Sequence, residues 1–332
     1  MLLQEGCARR RRVVPRTGCR GDPPLQVLLS TYQAVSLTLT TNDQGVRLCT
    51  LASGSSGNCV YINCRGTELL VDAGISLRAI EHGLQALGTS AANLSAVLIT
   101  HEHIDHVRGL LPLVRKYNIP FYIDRLCACA LPEDSHANAY EPPEPLFIEV
   151  GRGFGVGAAQ ATPFRTPHDS AANVGYIIEC GGARVGVATD VGSITGQVAN
   201  ALLGCGTVVL ESNYDRDMLL TGRYPPYLKA RIMSGAGHLS NDDASVFLCR
   251  LVSSGTRQAV LYHLSHENNH PILALETAQY TLGRQGIRSR IAFSAYGPPA
   301  QCVGQESLFA QEADITLYVA PRSALGDLLV CE

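Results

Sequence analysis

The sequence lacks any run of about 18 uninterrupted apolar residues, so no segment is expected to span a membrane. It also lacks a Cys-x-x-Cys pair. Its 12 cysteines are scattered from Cys7 to Cys331, which argues against a disulfide framework and favours a reducing, cytoplasmic location. Cys127 and Cys129 lie in a short apolar stretch that favours buried thiols over metal ligands. A large net charge is missing too, and the value of -3 alone gives no reason to expect a polyanionic partner.

Residues 1–44 differ in composition from the rest of the chain. Arg9–Arg12, Arg16 and Arg20 lie in a stretch with few acids, and the apolar segment behind them is interrupted by glutamine, serine and threonine, unlike a secretory signal. We predict a basic, poorly ordered N-terminal extension over residues 1–44 and one folded domain over residues 45–332. A nucleic-acid-binding arm and a targeting leader are the alternatives for the extension.

From residue 46 onward, short β-prone runs alternate with segments of helical periodicity. The pattern predicts helices at residues 76–87, 107–117, 226–233, 242–251 and 271–282. It predicts strands at residues 46–51, 59–63, 68–71, 96–100, 175–180, 184–189, 207–210 and 258–263. Strands that come in groups with helices between them predict a layered α/β or α+β fold.

The most specific chemical signal is THEHIDHVRG at residues 100–109, which follows a predicted strand. In an extended loop His101 and His103 point to the same side and can bind one metal ion, whereas Asp105 and His106 can turn toward a second ion. Imidazole nitrogen and carboxylate oxygen suit Zn²⁺, with Mn²⁺ or Fe as alternatives. The loop therefore predicts part of a site for two divalent metal ions.

Three further side chains of the metal-ligand type follow short apolar strands. These are His168 in FRTPHDS, Asp190 in VGVATDVG and His263 in AVLYHLSHENN. Each alone is more often an ordinary hydrogen-bonded loop residue. Their shared position at strand ends, in a chain that already carries the histidine-rich loop, favours a role as ligands.

With these motifs the sequence resembles the metallo-β-lactamase-fold hydrolases from about residue 46 to about residue 295. The resemblance implies a four-layer αββα sandwich with two metal ions at one edge, so that residues 45–332 would form a hydrolase domain. It implies that one metal is bound by His101, His103 and His168, and the other by Asp105, His106 and His263. Asp190 is the implied bridging ligand, and Asp72 in LLVDAG is implied to support the metal loop.

Other segments are similar to the YycJ-type branch of these hydrolases. They are LASGSSGNCVYI (51–62), VLESNYD (209–215), GRYPPYLKARI (222–232), GHLSN (237–241) and LSHENN (264–269). The resemblance implies a bacterial, cytoplasmic nuclease that degrades DNA from a 5′ end, with DNA as the partner. The first 45 residues and the tail past about residue 300 look longer than is usual in that branch.

The expected reaction is phosphodiester hydrolysis. Two divalent ions about 3.5 to 4 Å apart lower the pKa of a shared water toward 7. Together with Asp105, Asp190 and hydroxide they leave a charge of about +1, which favours an anionic substrate. His238 is the candidate that protonates the leaving group, and the Gly-Ser loop with Ser56 and Asn58 is a candidate contact for phosphate or for the metal loop.

Residues 239–241 are a candidate phosphate cradle, because they open a helix with a capping pattern in which Ser240 precedes Asp243.

Several alternatives stay open at this stage. A small-molecule phosphodiesterase or a glyoxalase II-like thioesterase is one, since residues 45–332 carry 20 basic against 26 acidic residues and a nuclease needs a basic groove. A non-hydrolytic iron oxidoreductase is another. In the family, oxygen-reducing di-iron relatives usually carry a carboxylate where this chain has His103. A metal-stabilised binding module without turnover is the third. Metal identity, cleavage polarity and oligomeric state stay undetermined.

Overall fold

The computed structural model describes residues 45–132, 142–292 and 313–331, and its strands form two mixed sheets. The basic extension predicted for residues 1–44 lies outside these ranges, so the extension and its boundary stay predictions. The first sheet contains β1 (Val46–Ala52), β2 (Cys59–Cys64), β3 (Thr67–Val71), β4 (Leu94–Leu98), β5 (Phe121–Ile123), β6 (Leu146–Phe147) and β15 (Leu329–Cys331). Its strand order is β15-β1-β2-β3-β4-β5-β6.

The second sheet follows in the chain after β6. It contains β7 (Phe154–Val156), β8 (Ala159–Arg165), β9 (Val174–Cys180), β10 (Ala183–Ala188), β11 (Thr207–Glu211), β12 (Gln258–Tyr262), β13 (Ser289–Ile291) and β14 (Ile315–Val319). Its strand order is β13-β14-β12-β11-β10-β9-β8-β7. β10, β11, β12, β14 and β13 run parallel, so the carboxyl ends of these strands share one edge.

Helices cover the outer faces of both sheets. They are α1 (Leu77–Ala86), α2 (Ile104–Val107), α3 (Leu110–Tyr117), α4 (Arg125–Cys129), α5 (Gly196–Leu202), α6 (Arg216–Thr221), α7 (Pro226–Ile232), α8 (Asn241–Ser253) and α9 (Pro271–Arg284), with one 3-10 turn at Ala91–Asn93. None of the helices in the described ranges is long and apolar enough to cross a membrane.

Three apolar clusters show how the layers pack. The first lies between the sheets and joins Leu98 of β4 to Val187 of β10 and Val209 of β11. The second packs α5, α8 and α9 on the second sheet, where Leu248 is fully buried. The third packs α1, α3 and α4 on the first sheet around Leu84. This is the predicted four-layer αββα sandwich, and the fold prediction is confirmed.

The predicted helix over residues 107–117 is wrong in one respect, because the structure divides it into α2 and α3. At the break, the Gly109 N–H donates to the Ala73 carbonyl at 2.7 Å. A Cβ at Gly109 would lie 2.1 Å from the Ile75 carbonyl oxygen, so only glycine allows the backbone to approach this closely. The break lets the loop of residues 100–109 fold back against the end of β3.

The expectation of two buried thiols in the Cys-x-Cys pair holds for one of them. Cys127 is fully buried in α4 and its Sγ donates to the Ala172 carbonyl at 3.1 Å. Cys129 is exposed at the end of the same helix. Side chains two positions apart in a helix face different directions, so only one of the pair can pack on the sheet.

Candidate metal centre

The site lies where strands of both sheets end, and three of its residues adopt the left-handed backbone conformation. Asp72 directly follows β3 and has φ 63°, and His263 directly follows β12 with φ 57°. Asp190, two residues after β10, has φ 54°. Non-glycine residues rarely adopt positive φ, and such residues gather at functional sites. The turns at the three strand ends aim these side chains into one volume.

The structure brings the predicted ligands together in adjoining sets. We name His101, His103 and His168 the first ligand group, and Asp105, His106 and His263 the second ligand group. Within each group the ligand atoms lie within 4.8 Å of one another. Asp190 adjoins both, since it forms a further such set with His101 and His106. All seven predicted ligands therefore converge, although the assignment of ions to them stays a prediction.

Asp190 lies at the centre of this arrangement. Its Oδ2 is 3.1 Å from His106 Nε2, and its Oδ1 is 3.6 Å from His168 Nε2 and 3.5 Å from His263 Nδ1. Burial alone would raise its pKa, but the imidazoles of His263 and His106 outweigh burial and hold the pKa of Asp190 well below its usual value. Asp190 is thus a buried carboxylate between the two ligand groups.

The histidines of the metal loop are oriented through their Nδ1 atoms. His106 Nδ1 donates to Asp72 Oδ2 at 2.7 Å. Thr100 donates its hydroxyl to the same carboxylate at 2.9 Å and in turn lies 3.0 Å from His101 Nδ1. These bonds leave the Nε2 atoms of both rings facing the cluster, which is how side chains behind metal ligands fix a tautomer. Asp72 thereby has the supporting position that the resemblance implied.

The two histidine ligands that follow strands of the second sheet are fixed in the same way. His168 Nδ1 donates to the Gly237 carbonyl at 3.0 Å, and His263 Nδ1 donates to Glu211 Oε1 at 2.9 Å. His103, half-exposed at the start of α2, stacks edge-on at a ring distance of 4.5 Å from His101.

The donor atoms fit divalent metal ions. Among the described residues, His101 Nε2 and His263 Nε2 are buried and have no hydrogen-bond partner, which is costly unless a further ligand binds them. The nearest carboxylate, Asp105 Oδ2, is 3.5 Å from His263 Nε2. Imidazole nitrogens with carboxylate oxygens are the donors that zinc and other borderline metals prefer.

Glu211, the last residue of β11, belongs to the site and was missed by the sequence analysis. Its Oε1 accepts from His238 Nδ1 at 2.7 Å and from His263 Nδ1 at 2.9 Å. Its Oε2 accepts from the Val191 amide at 2.6 Å and from the Leu239 amide at 3.2 Å. Burial raises its pKa, but His238 and the hydrogen bonds outweigh burial, so the pKa of Glu211 is lowered. The sequence did offer a signal for Glu211, because it closes an apolar strand in the same way that Asp190 and His263 follow one.

The protonation of the histidines differs between the ligand groups. Burial lowers the pKa of His101 well below its ordinary value, and burial also lowers that of His168. For His263 burial acts the same way, but Asp190, Asp105 and Glu211 outweigh it and raise the pKa to about 10. Burial therefore favours the neutral, metal-binding form of His101 and His168, whereas the carboxylates favour the protonated form of His263.

His238 sits beside the ligand groups, and its side chain keeps 22% of its surface exposed. Burial lowers its pKa, yet the Glu211 carboxylate and hydrogen bond outweigh burial and raise it. The protonated form of His238 carries a positive charge, which enters the net charge of the site. The net charge of about +1 predicted from the sequence did not include the carboxylates of Asp72 and Glu211. With them the sum falls to about -1, and a protonated His238 brings it back to about zero. The net positive charge of the site stays a prediction, and with Asp72 and Glu211 included the positive charge would be local to the ions and to His238.

The predicted phosphate cradle at residues 239–241 is also wrong. The Leu239 amide donates to Glu211, and the Asn241 amide donates to the Tyr214 carbonyl at 2.9 Å. Ser240 is fully buried as the N-cap of α8, with its hydroxyl accepting from the Asp243 amide at 3.1 Å. These donors already have partners, so they are not available for a phosphate.

The two predicted residues of the Gly-Ser loop have different places. Asn58 is buried, and its amide nitrogen lies 3.0 Å from His106 Nε2. It therefore contacts the loop of residues 100–109, which is one of the two contacts predicted for it. Ser56 is exposed, and its carbonyl accepts from Arg108 at 2.9 Å. Its hydroxyl makes no hydrogen bond to the ligand groups in the described structure. A role for Ser56 toward substrate stays a prediction.

Comparison with known proteins identifies the family of this chain. A model of the β-lactamase superfamily domain matches residues 67–264. This chain belongs to the metallo-β-lactamase superfamily. It is 33% identical over 253 residues to exodeoxyribonuclease YycJ of Bacillus anthracis, covering 76% of this chain and 95% of that protein. It is 32% identical over 252 residues to exodeoxyribonuclease WalJ of Streptococcus pneumoniae, covering 76% and 94%.

A solved structure of the metallo-β-lactamase-fold protein YhfI from Bacillus subtilis superposes with a TM-score of 0.59. Its sequence identity is 16%, and the match covers 87% of this chain and all of that one, so it supports the fold of this superfamily member. Members of the superfamily typically bind divalent metals, and both ligand groups of this chain offer sites for them.

Proposed function

We propose that this protein is a metal-dependent nuclease that hydrolyses phosphodiester bonds of DNA, working as an exonuclease from a 5′ end. The observation that carries the proposal is the convergence of both ligand groups with the Glu211–His238 pair in one cluster. The substrate class is supported by the names of the relatives, exodeoxyribonucleases that align over 94–95% of their length. Localisation in the cytoplasm stays an expectation.

In this proposal the first ligand group holds one divalent ion, the second holds another, and Asp190 lies between them. Zinc is the preferred metal because the first ligand group is all imidazole, and manganese or iron is the alternative. Such a pair of ions supplies a hydroxide nucleophile near neutral pH and offsets the charge of the phosphate.

The residues of the chain supply orientation and proton transfer. The low pKa values of Asp105 and Asp190 keep both as carboxylates that can accept a hydrogen bond from the attacking water. Glu211 holds His238 through Nδ1 and favours its protonated form, leaving Nε2 to donate a proton to the departing oxygen. Glu211 therefore positions and charges His238 and does not itself reach the substrate, since all four donors around it are protein groups.

The Glu211–His238 pair favours a phosphodiester over a thioester. A departing alkoxide is strongly basic and needs a proton, whereas a thiolate leaves readily without one. A site for thioester hydrolysis gains little from a buried carboxylate that keeps an adjacent histidine protonated. His103, in the first ligand group, weighs against the oxygen-reducing iron proteins, since the resemblance implies a carboxylate at that place in them.

The test is metal-dependent hydrolysis of duplex DNA labelled at the 5′ end or at the 3′ end. We expect a chelator to stop the reaction, zinc or manganese to restore it, and the 5′ label to be released first as short products. Bis-p-nitrophenyl phosphate serves as a simple phosphodiester control. Hydrolysis of the control without degradation of DNA would favour a small-molecule phosphodiesterase, and inactivity toward both by metal-loaded protein would refute the proposal.

A further inference from the structure

The segment between β11 and α8 carries a motif, GRYPPYLKARI, that the catalytic cluster does not use. It forms α6 and α7, which we call the α6–α7 segment (Arg216–Ile232). No residue of α7 is buried, and Tyr227 on it is 76% exposed. Since a seven-residue helix is marginal alone in water and this one buries no apolar face, its order must come from bonds at its ends.

Hydrogen bonds hold the α6–α7 segment in one shape. Lys229 Nζ donates to the carbonyls of Leu220 and Gly222, both at 2.7 Å, and so clamps α7 to the end of α6. The Ile232 carbonyl accepts from the His238 amide at 2.9 Å. The exposed surface of α7 is therefore a fixed feature, and its last residue is bonded directly to a residue of the site.

The C-terminal end of α7 continues into the candidate metal centre. Arg231 forms an ion pair with Asp169, and Asp169 Oδ1 is 3.4 Å from His168 Nε2. Tyr227 and Arg231 are four positions apart, so they lie on the same face of α7, about 6 Å apart along the helix axis. The exposed ring of Tyr227 is thus the next feature along a surface that begins at the first ligand group.

The α6–α7 segment is also basic in an acidic chain. It has four basic residues and one acid, whereas residues 45–332 as a whole have 20 basic and 26 acidic residues. Lys229 is engaged in the clamp, Arg231 is paired with Asp169, and Arg216 lies 3.6 Å from a carboxylate oxygen of Asp243. Arg223 is exposed and has neither a hydrogen bond nor an ion pair in the part of the chain that the structure describes. Arg223 therefore offers its positive charge to an anionic strand that reaches the cluster.

We propose that the α6–α7 segment binds an unpaired strand of the nucleic-acid substrate, with Tyr227 stacking on a base and Arg223 contacting a phosphate. This inference rests on the proposed function. Exposed aromatic rings beside basic side chains are how proteins bind single strands without reading sequence. The surface also answers the objection that the domain is acidic overall, because affinity for a strand depends on where the positive charge lies.

Binding is measured first, with the full chain in chelator and a fluorescein-labelled 20-nucleotide thymidine strand followed by anisotropy. We expect Tyr227→Ala to raise Kd by roughly 5- to 150-fold, the range for loss of one stacked base. Tyr227→Phe keeps the ring and should stay within about twofold of the wild type. Arg223→Ala should weaken binding and lower the slope of log affinity against log salt by about 0.7, the value for one phosphate on a single strand.

The matched controls lie on α9, where Tyr280 is 67% exposed and Arg284 bonds to its hydroxyl. Tyr280→Ala and Arg284→Ala should bind the strand like the wild type. Turnover gives a second readout with the metal-loaded protein. Tyr227→Ala and Arg223→Ala should lower kcat/KM for DNA by the same factors and leave hydrolysis of bis-p-nitrophenyl phosphate unchanged, because that compound has no base or flanking phosphate.

The outcomes separate this inference from the proposed function. Wild-type protein that binds the strand with these dependencies but degrades no DNA would refute the function and keep the surface. Degradation of DNA by a protein whose Tyr227→Ala and Arg223→Ala variants bind normally would refute the surface and keep the function. Absence of binding by the wild type would refute the surface. If polyglutamate displaced the labelled strand as well as unlabelled strand does, and Tyr227→Ala bound with wild-type affinity, the surface would attract acidic polymers in general. That result would refute stacking on Tyr227.

Discussion

The most informative perturbation is Glu211→Gln, which changes one oxygen into an amide nitrogen at constant size. Four donors surround this carboxylate: two histidine Nδ1 atoms on Oε1 and two backbone amides on Oε2. A carboxylate can accept all four hydrogen bonds, whereas the carbonyl of glutamine accepts two and its NH₂ accepts none. In either orientation, the glutamine NH₂ therefore faces two hydrogen-bond donors, either the two histidines or the two backbone amides, and this position is fully buried.

The magnitude follows from this count. A buried donor without a partner costs about 1–3 kcal/mol, so two such donors lower the free energy of unfolding by roughly 2–6 kcal/mol. The corresponding fall in Tm is roughly 5 to 20 °C. If the glutamine NH₂ faces the histidines instead, the clash of donors is removed only when His263 carries its proton on Nε2. A protonated Nε2 cannot bind the metal ion of the second ligand group. Loss of such an orienting bond typically lowers metal affinity by about 10- to 100-fold.

The assay compares Glu211→Gln with Glu179→Gln, whose parent side chain is 50% exposed beside Arg184. Thermal unfolding, metal content after dialysis and hydrolysis of bis-p-nitrophenyl phosphate are measured for both. We expect the control to stay within about 0.5 kcal/mol of the wild type with full activity. A Glu211→Gln protein that matches the control in Tm, in metal content and in turnover would refute the assignment of Glu211 as the shared acceptor of both histidines.

Three further outcomes are expected. His263→Ala should lose metal and activity together, whereas His238→Ala should abolish turnover and retain metal; equal metal loss, measured by elemental analysis, would make His238 a ligand. Affinity of the ion at the second ligand group should rise by at least about tenfold per pH unit between pH 6.5 and 8.5, because metal displaces a proton from His263, whose pKa is about 10, and His106, whose pKa is also raised, adds to the slope. Burial keeps His101 neutral, so it adds no such dependence to the affinity of the other ion. Competition titrations with a chelator at several pH values would contradict this if both ions showed one slope. Gly74→Ala should be strongly destabilising in thermal unfolding because its Cβ would lie 1.6 Å from the Asp105 carbonyl oxygen, and Gly196→Ala, with open space around it, should not.

The ligands were predictable because each carries a local signal. Four lie in one loop with spacing that suits two ions, and the others follow apolar strands whose β character is legible in the sequence. Parallel strands bring their carboxyl ends to one edge, so the positions converge once the sheet order is set. Glu211 carries the same signal and lies within the segment VLESNYD (209–215), but the sequence does not show the contact with His238 that gives this glutamate its role.

The errors have a common physical origin. A capping pattern identified the start of α8 correctly, yet it could not show that the Leu239 and Asn241 amides would bond to Glu211 and Tyr214. The break at Gly109 likewise depends on a carbonyl from a segment more than 30 positions away. Neither β14 nor β15 was predicted, although both complete sheets, because their pairing partners lie far away in the sequence. Long-range contacts leave little trace in local patterns.

The left-handed turns at Asp72, Asp190 and His263 are held by hydrogen bonds from elsewhere in the fold. The Asp72 amide donates to the Leu98 carbonyl at 2.8 Å, and the His263 amide donates to Ser53 Oγ at 2.8 Å. Asn173 donates to the Asp190 carbonyl at 2.7 Å. Each strained turn is thus held by a bond outside the ligand groups, and such strain persists only where the surroundings over-determine it. Because protein groups carry that cost, binding energy from an ion need not be used to form the turns that aim its ligands.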